Sequence, residues 1–281
     1  MLFRSRVDLA PGDHDLGTLV GGHRGLAPIP VEVGGDDRAV ILSSGGTTGT
    51  PKGVVGHHRD YVCAGRQLHE WTKSAKRPWT DVIMLPLPLF HVYANVGVQP
   101  LAFISPNPVS LVPNPRDISD LLATIRAVRP TFFNGVPTLY NAILNHPDVR
   151  AGKVDLSSIK LCFSGAAALM AETKRRFEQL TGARIVEGYS LTEAMMACCV
   201  NPVRGVNKVG SIGVPLPDVD VRIVDADDGV RELGVDEVGE MILRAPQGMA
   251  EYWNNPTETA ETLRTRGDGS LWVHKIGRAH V

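Results

Sequence analysis

The chain has no block of basic residues. Its 29 Lys and Arg stand against 30 Asp and Glu, for a net charge of −1. Binding to a nucleic-acid backbone needs clustered cations to replace counterions, so nucleic acid is disfavoured as a partner. No apolar run approaches the roughly 20 residues that cross a bilayer, and the start carries no secretory-leader pattern. Cysteine is scarce: Cys63, Cys162, Cys198 and Cys199 show no metal-ligand spacing, and an adjacent pair makes a poor disulfide framework. They read as small buried residues in a reducing compartment, which makes the expected location cytoplasmic, with peripheral membrane attachment as the alternative. There is no internal repeat or low-complexity segment. What remains is an ordinary globular composition, 281 residues at 43% hydrophobic, enough for one large domain or two small ones.

The most informative stretch is Ser43-Ser44-Gly45-Gly46-Thr47-Thr48-Gly49-Thr50-Pro51-Lys52-Gly53. It follows Ala39-Val40-Ile41-Leu42, an apolar run that reads as a short buried strand entering a tight loop. Glycines let a backbone approach a ligand closely, successive N–H groups make a concave anion site, and Ser and Thr hydroxyls add donors. Lys52 contributes a mobile positive charge. The spacing is not that of a Walker A loop, which requires Gly-Lys-Ser/Thr, whereas Pro51 precedes Lys52 here. A flexible turn with a solvated lysine is the ordinary fate of a lone Gly-rich segment. Strand exit, Gly-Gly-Thr-Thr-Gly and Pro-Lys-Gly together are more specific.

This segment resembles the phosphate-binding loop of the adenylate-forming superfamily of acyl- and aryl-CoA synthetases, luciferases and peptide-synthetase adenylation domains. The Ser44-Gly45-Gly46 opening is similar to that of bacterial long-chain fatty-acid CoA ligases. The resemblance implies that Ser44, Gly45, Gly46, Thr47, Thr48, Gly49 and Lys52 hold ATP phosphates, with Thr48 and Lys52 acting in catalysis.

Further along, residues 58 to about 71 have helical apolar spacing, and Asp81 to Pro86 reads as a buried strand. His57, His58 and His69 lack a further ligand for a metal and read as surface or capping residues. Pro88-Leu89-Phe90-His91 resembles the superfamily segment whose histidine borders the reacting carboxylate, and an apolar helix is expected from there to about Phe103. Taken alone, His91 is as well explained as a satisfied core histidine. Alternation continues through strand 109–112, helix 117–128 capped by Asp117 or Ser119, strand 131–134 and helix 137–144, which argues for a parallel sheet covered on both faces. Gly135-Val136-Pro137 resembles a segment lining the acyl tunnel, so His91, Val92, Val96, Val98, Val136 and Leu139 are the expected substrate contacts.

Strand 159–163 runs into Ser164-Gly165-Ala166-Ala167-Ala168, small residues at the strand end where open α/β sheets bind ligands. The family places adenine there, against Gly165, Ala166 and Ala167. Glu187-Gly188-Tyr189-Ser190-Leu191-Thr192-Glu193 is expected on a loop after strand 184–186. There Tyr189 offers a face to a purine, Thr192 a hydroxyl to phosphate and Glu193 a hard oxygen to Mg²⁺. It resembles the superfamily's Gly-Tyr-Gly-x-Thr-Glu, with Ser190 for the usual glycine. Glu187, Gly188, Tyr189, Ser190 and Thr192 are thus cofactor candidates, with His91, Thr192 and Glu193 joining Thr48 and Lys52 as catalytic ones.

From Val209 on, short alternating runs at 210–213, 219–224 and 239–244, broken by Pro, Asp and Gly, mark an antiparallel sheet or small barrel, with a turn at 225–229. Tyr252 to Thr259 resembles a further family stretch, with Glu251 replacing its glycine. The expected fold is α/β, mostly parallel sheets flanked by helices, followed by a β-rich portion. Its parts are an irregular lead-in over 6–37, an α/β nucleotide- and acyl-binding core over 38–205 and the β-rich portion over 206–274.

Both ends read as foreign. Ile276-Gly277-Arg278-Ala279-His280-Val281 is what ATC-GGA-AGA-GCA-CAC-GTC encodes, a string resembling a sequencing adapter, and Met1 to Ser5 resembles the opposite adapter end. Residues 1–5 and 275–281 are therefore expected to be adapter-derived, with the gene truncated at both sides. By the resemblance, an Asp-bearing motif for the ribose, a hinge and a small domain with a catalytic lysine would follow. The expected activity is ATP-dependent conversion of a medium- or long-chain fatty acid to acyl-AMP and then acyl-CoA, with ATP, Mg²⁺ and CoA. Phe90-His91 lacks the Asp that amino-acid activators carry, which disfavours a peptide-synthetase domain. An aryl-CoA ligase and an ATP-binding but catalytically incomplete fragment are the other readings.

Overall fold

Alternate residues of each strand in the parallel part of the largest sheet face opposite ways, and this puts a separate core on each of its faces; a third, small core of Val224, Ile242 and Trp272 lies in the β-rich portion. The computed structural model describes residues 11–12, 14–44 and 51–280, with 275–280 described by backbone alone. The described residues form two compact units, up to Gly34 and from Gly35 onward. In the first, the segment expected to be irregular holds one short helix, α1 (Leu16–Gly22), capped where Asp15 accepts from the Thr18 N–H at 2.7 Å.

The second unit begins with β1 (Arg38–Ser44) and β2 (Lys52–His57), an antiparallel pair with Ser44 opposite Lys52. The Gly-Thr segment therefore falls between the two strands of an antiparallel pair. The pairing that keeps residues 52–57 extended was not legible in the sequence. Helix α2 (His58–Thr72) follows, closed at its start by Asp60, whose carboxylate accepts from the His57 N–H at 2.7 Å. Strand β3 (Ile83–Leu85) leads to a π-helix (Tyr93–Val98) continued by α3 (Gln99–Ile104). Then come β4 (Val109–Leu111), α4 (Ile118–Val128), β5 (Phe132–Gly135), α5 (Pro137–Asn145) and α6 (Pro147–Arg150). Asp117, not Ser119, caps α4, accepting from the Asp120 N–H at 3.0 Å. β6 (Leu161–Ser164) and α7 (Ala171–Thr181) precede β7 (Arg184–Leu191) and β8 (Met196–Val200). Gly182, at φ 72°, ends α7 in the left-handed conformation that glycine adopts without a Cβ penalty.

The remaining elements are β9 (Val214–Pro215), β10 (Asp220–Val224), β11 (Val238–Arg244), β12 (Glu251–Tyr252), α8 (Pro256–Thr262), β13 (Leu263–Thr265) and β14 (Leu271–His280). The largest sheet has the order β4-β3-β5-β6-β7-β8-β9, parallel from β4 to β7 and antiparallel beyond. The fold class expected from the sequence is present. The β-rich portion is a four-stranded antiparallel sheet, β10-β11-β14-β13, in which the backbone of 276–280 runs beside β11. The run expected at 210–213 is a turn and loop; its strand is the short β9 just after it. A third sheet, β1-β2-β12, brings Glu251 and Tyr252 beside the β1–β2 pair.

Ile83, Leu85, Phe132, Leu161 and Val186 pack on one side of the parallel strands, with Leu68 of α2 and Leu101 of α3. Met84, Phe133, Cys162 and Ile185, their sequence neighbours, pack on the other with Leu121 of α4, Tyr140 of α5 and Phe177 of α7. That is the period-two signature of a sheet covered on both faces. The rings of Tyr140 and Phe177 meet edge-on with centroids 4.9 Å apart, a contact worth about 1 kcal/mol beyond area burial. No helix among the described residues is long and apolar enough to cross a membrane.

Candidate active site

Small residues at the end of β6 and a tyrosine near the end of β7 open a cleft of about 270 Å³. One wall is Ser164, Ala166, Ala167 and Ala168; the other is Glu187, Gly188, Tyr189 and Ser190, with Ser211 at the edge. Register explains the juxtaposition, because Ser164 pairs directly with Glu187 across the parallel ladder. The β6 turn is tight enough to hold Ala166 at φ 67°, a conformation costing a residue with a Cβ about 1 kcal/mol. Ser164 Oγ and Glu187 Oε1 are buried without a hydrogen-bond partner among the described residues. Unmet polar atoms lining a cleft are what a flat, hydrogen-bonding heterocycle requires. The other Glu187 oxygen accepts from the Leu169 N–H at 3.3 Å. Burial pushes the Tyr189 hydroxyl up to about 12, so the ring is a neutral, half-buried face.

The Glu187–Glu193 segment differs locally from the expected loop. β7 runs on through Leu191, pairs with β8 across a bulge at Tyr189/Ser190, and turns only at residues 192–195. The bulge accommodates Ser190 where the family has glycine. Thr192 and Glu193 thus occupy the turn and not the cleft wall. Glu193 is buried, and its Oε1 accepts from the Tyr252 hydroxyl at 2.7 Å.

Ser44 is buried at the end of β1. Gly45, Gly46, Thr47, Thr48 and Gly49 lie outside the described residues. Lys52 opens β2, forms an ion pair with Glu258 of α8, and stands 5.3 Å above the Tyr252 ring. Lys52 and Glu193, far apart in sequence, therefore share Tyr252. β12 makes this possible by pairing Tyr252 with Val54, and the Trp253 N–H donates to Gly53 O at 2.7 Å. The resemblance over 252–259 pointed to this stretch without assigning Tyr252 or Glu258 a place, since only strand pairing brings them to Lys52. Among the described residues, no three His, Cys, Asp or Glu side chains gather into a metal cluster.

A larger apolar groove of about 490 Å³ lies beside the cleft and shares Ala166 with it. His91, Val136 and Leu139 line it, as expected, together with Pro88, Thr138 and Ala142. Val92 and Val96 do not: the π-helix turns them into the first core, where both are buried. His91 Nδ1 accepts from the Tyr93 N–H at 3.2 Å, so a proton on the neutral ring sits on Nε2. Partial burial by the neighbouring walls lowers the pKa of His91 and favours that neutral form. Behind the Gly165 and Gly188 backbone is a second, smaller apolar chamber of about 50 Å³, lined in part by Val98 and sharing Ser164, Gly188 and Ser190 with the cleft. The hydroxyls of Tyr93 and Tyr140 both donate to Phe163 O, at 3.1 and 2.6 Å, and fix the strand end where the three cavities converge.

Comparison with known proteins agrees with this geometry. The family described as AMP-binding enzyme matches residues 7–253. A long-chain-fatty-acid–CoA ligase of Bacillus subtilis (strain 168) is 40% identical over 242 residues, covering 86% of this chain and 42% of that protein. The crystal structure of a long-chain-fatty-acid–CoA ligase from Archaeoglobus fulgidus superposes with a TM-score of 0.77 at 26% identity, over 87% of this chain and 49% of that one. ATP-bound MatB from Rhodopseudomonas palustris superposes with a TM-score of 0.75 at 28% identity, over 89% and 46%. The chain spans less than half the length of these relatives. A sheet that ends in a small-residue turn beside Tyr189 and a match over residues 7–253 together establish that the chain belongs to the AMP-binding enzyme family.

Proposed function

We propose that the protein to which this chain belongs activates a medium- or long-chain fatty acid with ATP, forming acyl-AMP and then acyl-CoA. The observation that carries this reading is the convergence of a polar cleft and apolar cavities at the Gly165–Ala166 turn. Purine would lie between Ala166–Ala167 and Tyr189, with Ser164 and Glu187 satisfying its edge. The residues from Ser44 to Lys52 would hold the β- and γ-phosphates, and Thr192 would meet the α-phosphate. Glu193 would hold Mg²⁺, since a carboxylate supplies the hard oxygen that ion takes together with phosphate and water. When bound, the ion neutralises phosphate charge.

The reaction asks the protein mainly for position and charge. A carboxylate oxygen attacks the α-phosphorus, the bond from that phosphorus to the bridging oxygen breaks, and pyrophosphate leaves with the electron pair. A thiol then adds to the acyl carbon and AMP departs. His91, neutral and exposed at the groove mouth, would border the carboxylate without pairing its charge. The relatives' names support a fatty acid, and the apolar lining of both cavities is consistent with one. Acid-dependent exchange of labelled pyrophosphate into ATP, measured on the chain extended to its natural ends, tests the reading. Exchange that follows fatty acids supports it; ATP binding with no exchange for any acid would make this a nucleotide-binding module instead.

A further inference from the structure

The three cavities described above gather where the parallel strands end. The opposite edge of the same sheet, where those strands begin, carries exposed aromatic rings. Trp79, in the turn that leads into β3, is 76% exposed, and its φ of 61° is a left-handed conformation that a side chain of this size rarely takes. The backbone around it is held from the side: the Trp79 N–H donates to Pro106 O at 2.7 Å, and the Asn107 amide donates to Arg77 O and Asp81 O at 2.8 and 2.9 Å. These bonds clamp the turn to the connection between α3 and β4. Phe103, three residues before Pro106, is 75% exposed. A strained backbone that holds a large apolar ring in water adds nothing to the cores, and strain of this kind collects where it serves binding.

Cations surround the rings. Arg77 and Lys160, both exposed, reach toward Asp81 at 3.6 and 3.5 Å, and the buried Lys76 is drawn to the same carboxylate. Asp81 is itself buried, so one inward carboxylate faces three cations and the surface over it is positive. Lys160 stands one residue before β6, and its reach to Asp81 puts the start of that strand beside the Trp79 turn. Arg204 is exposed and donates to Ser74 O, between α2 and that turn. Its segment runs along the same edge, since Arg184 at the start of β7 donates to Gly205 O at 2.7 Å. Nearby, Lys73 and Glu70 pair and cancel each other. In a chain of net charge −1 the positive excess is therefore local.

We propose that this edge docks the protein on an anionic phospholipid surface, with Trp79 and Phe103 entering the headgroup layer and Arg77, Lys160 and Arg204 facing lipid phosphates. Indole and phenyl rings flanked by basic side chains are the combination that settles at a bilayer interface, and the charge complementarity selects anionic lipid. A protein partner is disfavoured because both rings project from the ends of elements, and none of these residues lines a cavity that an anchor side chain could fill. Docked in this way, the protein keeps the strand ends that bear the cleft turned toward water. The inference does not depend on the acid-activating reading.

The test is co-sedimentation of the chain, extended to its natural ends, with vesicles of phosphatidylcholine alone or mixed with phosphatidylglycerol. The extended chain is used so that binding registers only if the rest of the parent protein leaves this edge open. Phosphatidylglycerol should raise partitioning by about tenfold or more and shift tryptophan emission to shorter wavelength. Lys160→Gln combined with Arg204→Gln should cut partitioning about 25-fold, since each basic residue near an anionic surface is worth about fivefold. Trp79→Gly suits the positive φ and so spares the fold; it should cut partitioning about tenfold and abolish the emission shift. Partitioning within twofold of the parent in both variants overturns the proposal. So does a parent chain that shows no preference for phosphatidylglycerol or ignores both vesicles, a result that would assign the edge to a protein partner.

Discussion

The hydroxyl of Tyr252 donates to Glu193 across 2.7 Å, and the same ring lies 5.3 Å beneath the ammonium of Lys52. One tyrosine therefore ties the turn after β7 to the start of β2. The two groups proposed above to hold phosphate and Mg²⁺ are thus tied at a set separation by one side chain, which is the preorganisation that phosphoryl-type transfer exploits.

Removing that donor should be felt in both stability and binding. Tyr252→Phe deletes a buried hydrogen bond to a carboxylate, worth about 1.5–3 kcal/mol, and should lower unfolding free energy in urea by that order. ATP titrations should also show a weaker Mg²⁺ dependence, because Glu193 is no longer aimed. Wild-type values in both measurements would mean that the bond positions nothing.

Glu258 is ion-paired with Lys52, and under the proposed function it would compete with phosphate for that lysine. The pair is partly exposed, at 25% and 37%, which limits its worth to about 1 kcal/mol or less. Glu258→Gln should free the lysine and tighten ATP binding by up to about fivefold, while Lys52→Ala loosens it. Binding by Glu258→Gln that is weaker than wild type would show the glutamate to be a positioning group and not a competitor.

Lys76 is buried, and its Nζ has no hydrogen-bond partner among the described residues. Burial lowers its pKa from 10.5 to about 8, with Asp81 opposing the shift. The unfolded chain binds this proton more tightly, so stability should rise as pH climbs from 8 toward 10.5 and fall back as pH drops through 8. Lys76→Met should raise stability at pH 7 by on the order of 3 kcal/mol and flatten that rise, as read from urea melts across the range. A rise of unchanged slope in the variant would assign the titration to another group.

Gly213 follows Ile212, which lines the nucleotide cleft, at φ 93°. A Cβ there would meet the Val200 carbonyl carbon at 2.1 Å and the Asn201 nitrogen at 2.2 Å, both backbone atoms. Gly213→Ala should therefore cost at least about 2 kcal/mol and detach β9 from β8. Unchanged protection of the Val200–Val214 pair in hydrogen exchange would contradict this.

The continuous apolar run at Ile83, Met84 and Leu85 was legible as a strand buried on both faces, and the stripe of Leu121, Leu122, Ile125 and Val128 as a helix, though Val128 at its end is exposed. That Ala166–Ala167 and Glu187–Ser190 face one cleft follows from adjacent parallel strands bringing their ends together; that the cleft takes a nucleotide is the proposal made above. Val92 and Val96 were misplaced because the π-helix changes the angle between successive side chains, which no helical periodicity anticipates. The extension of β7 through Leu191 was hidden for a related reason, since its partner β8 lies beyond the turn and only cross-strand pairing keeps it straight.

By itself the sequence determined which residues are apolar, which turns favour glycine and which short segments resemble the family's motifs, because these follow from side-chain type and near-neighbour spacing. Only the tertiary structure decided that Tyr252 joins Lys52 to Glu193, that Glu258 occupies the lysine, and that Met196 packs against Gly97. Those contacts span from about 60 to more than 200 residues of chain, and their geometry is set by strand register and packing, quantities that no local stretch encodes.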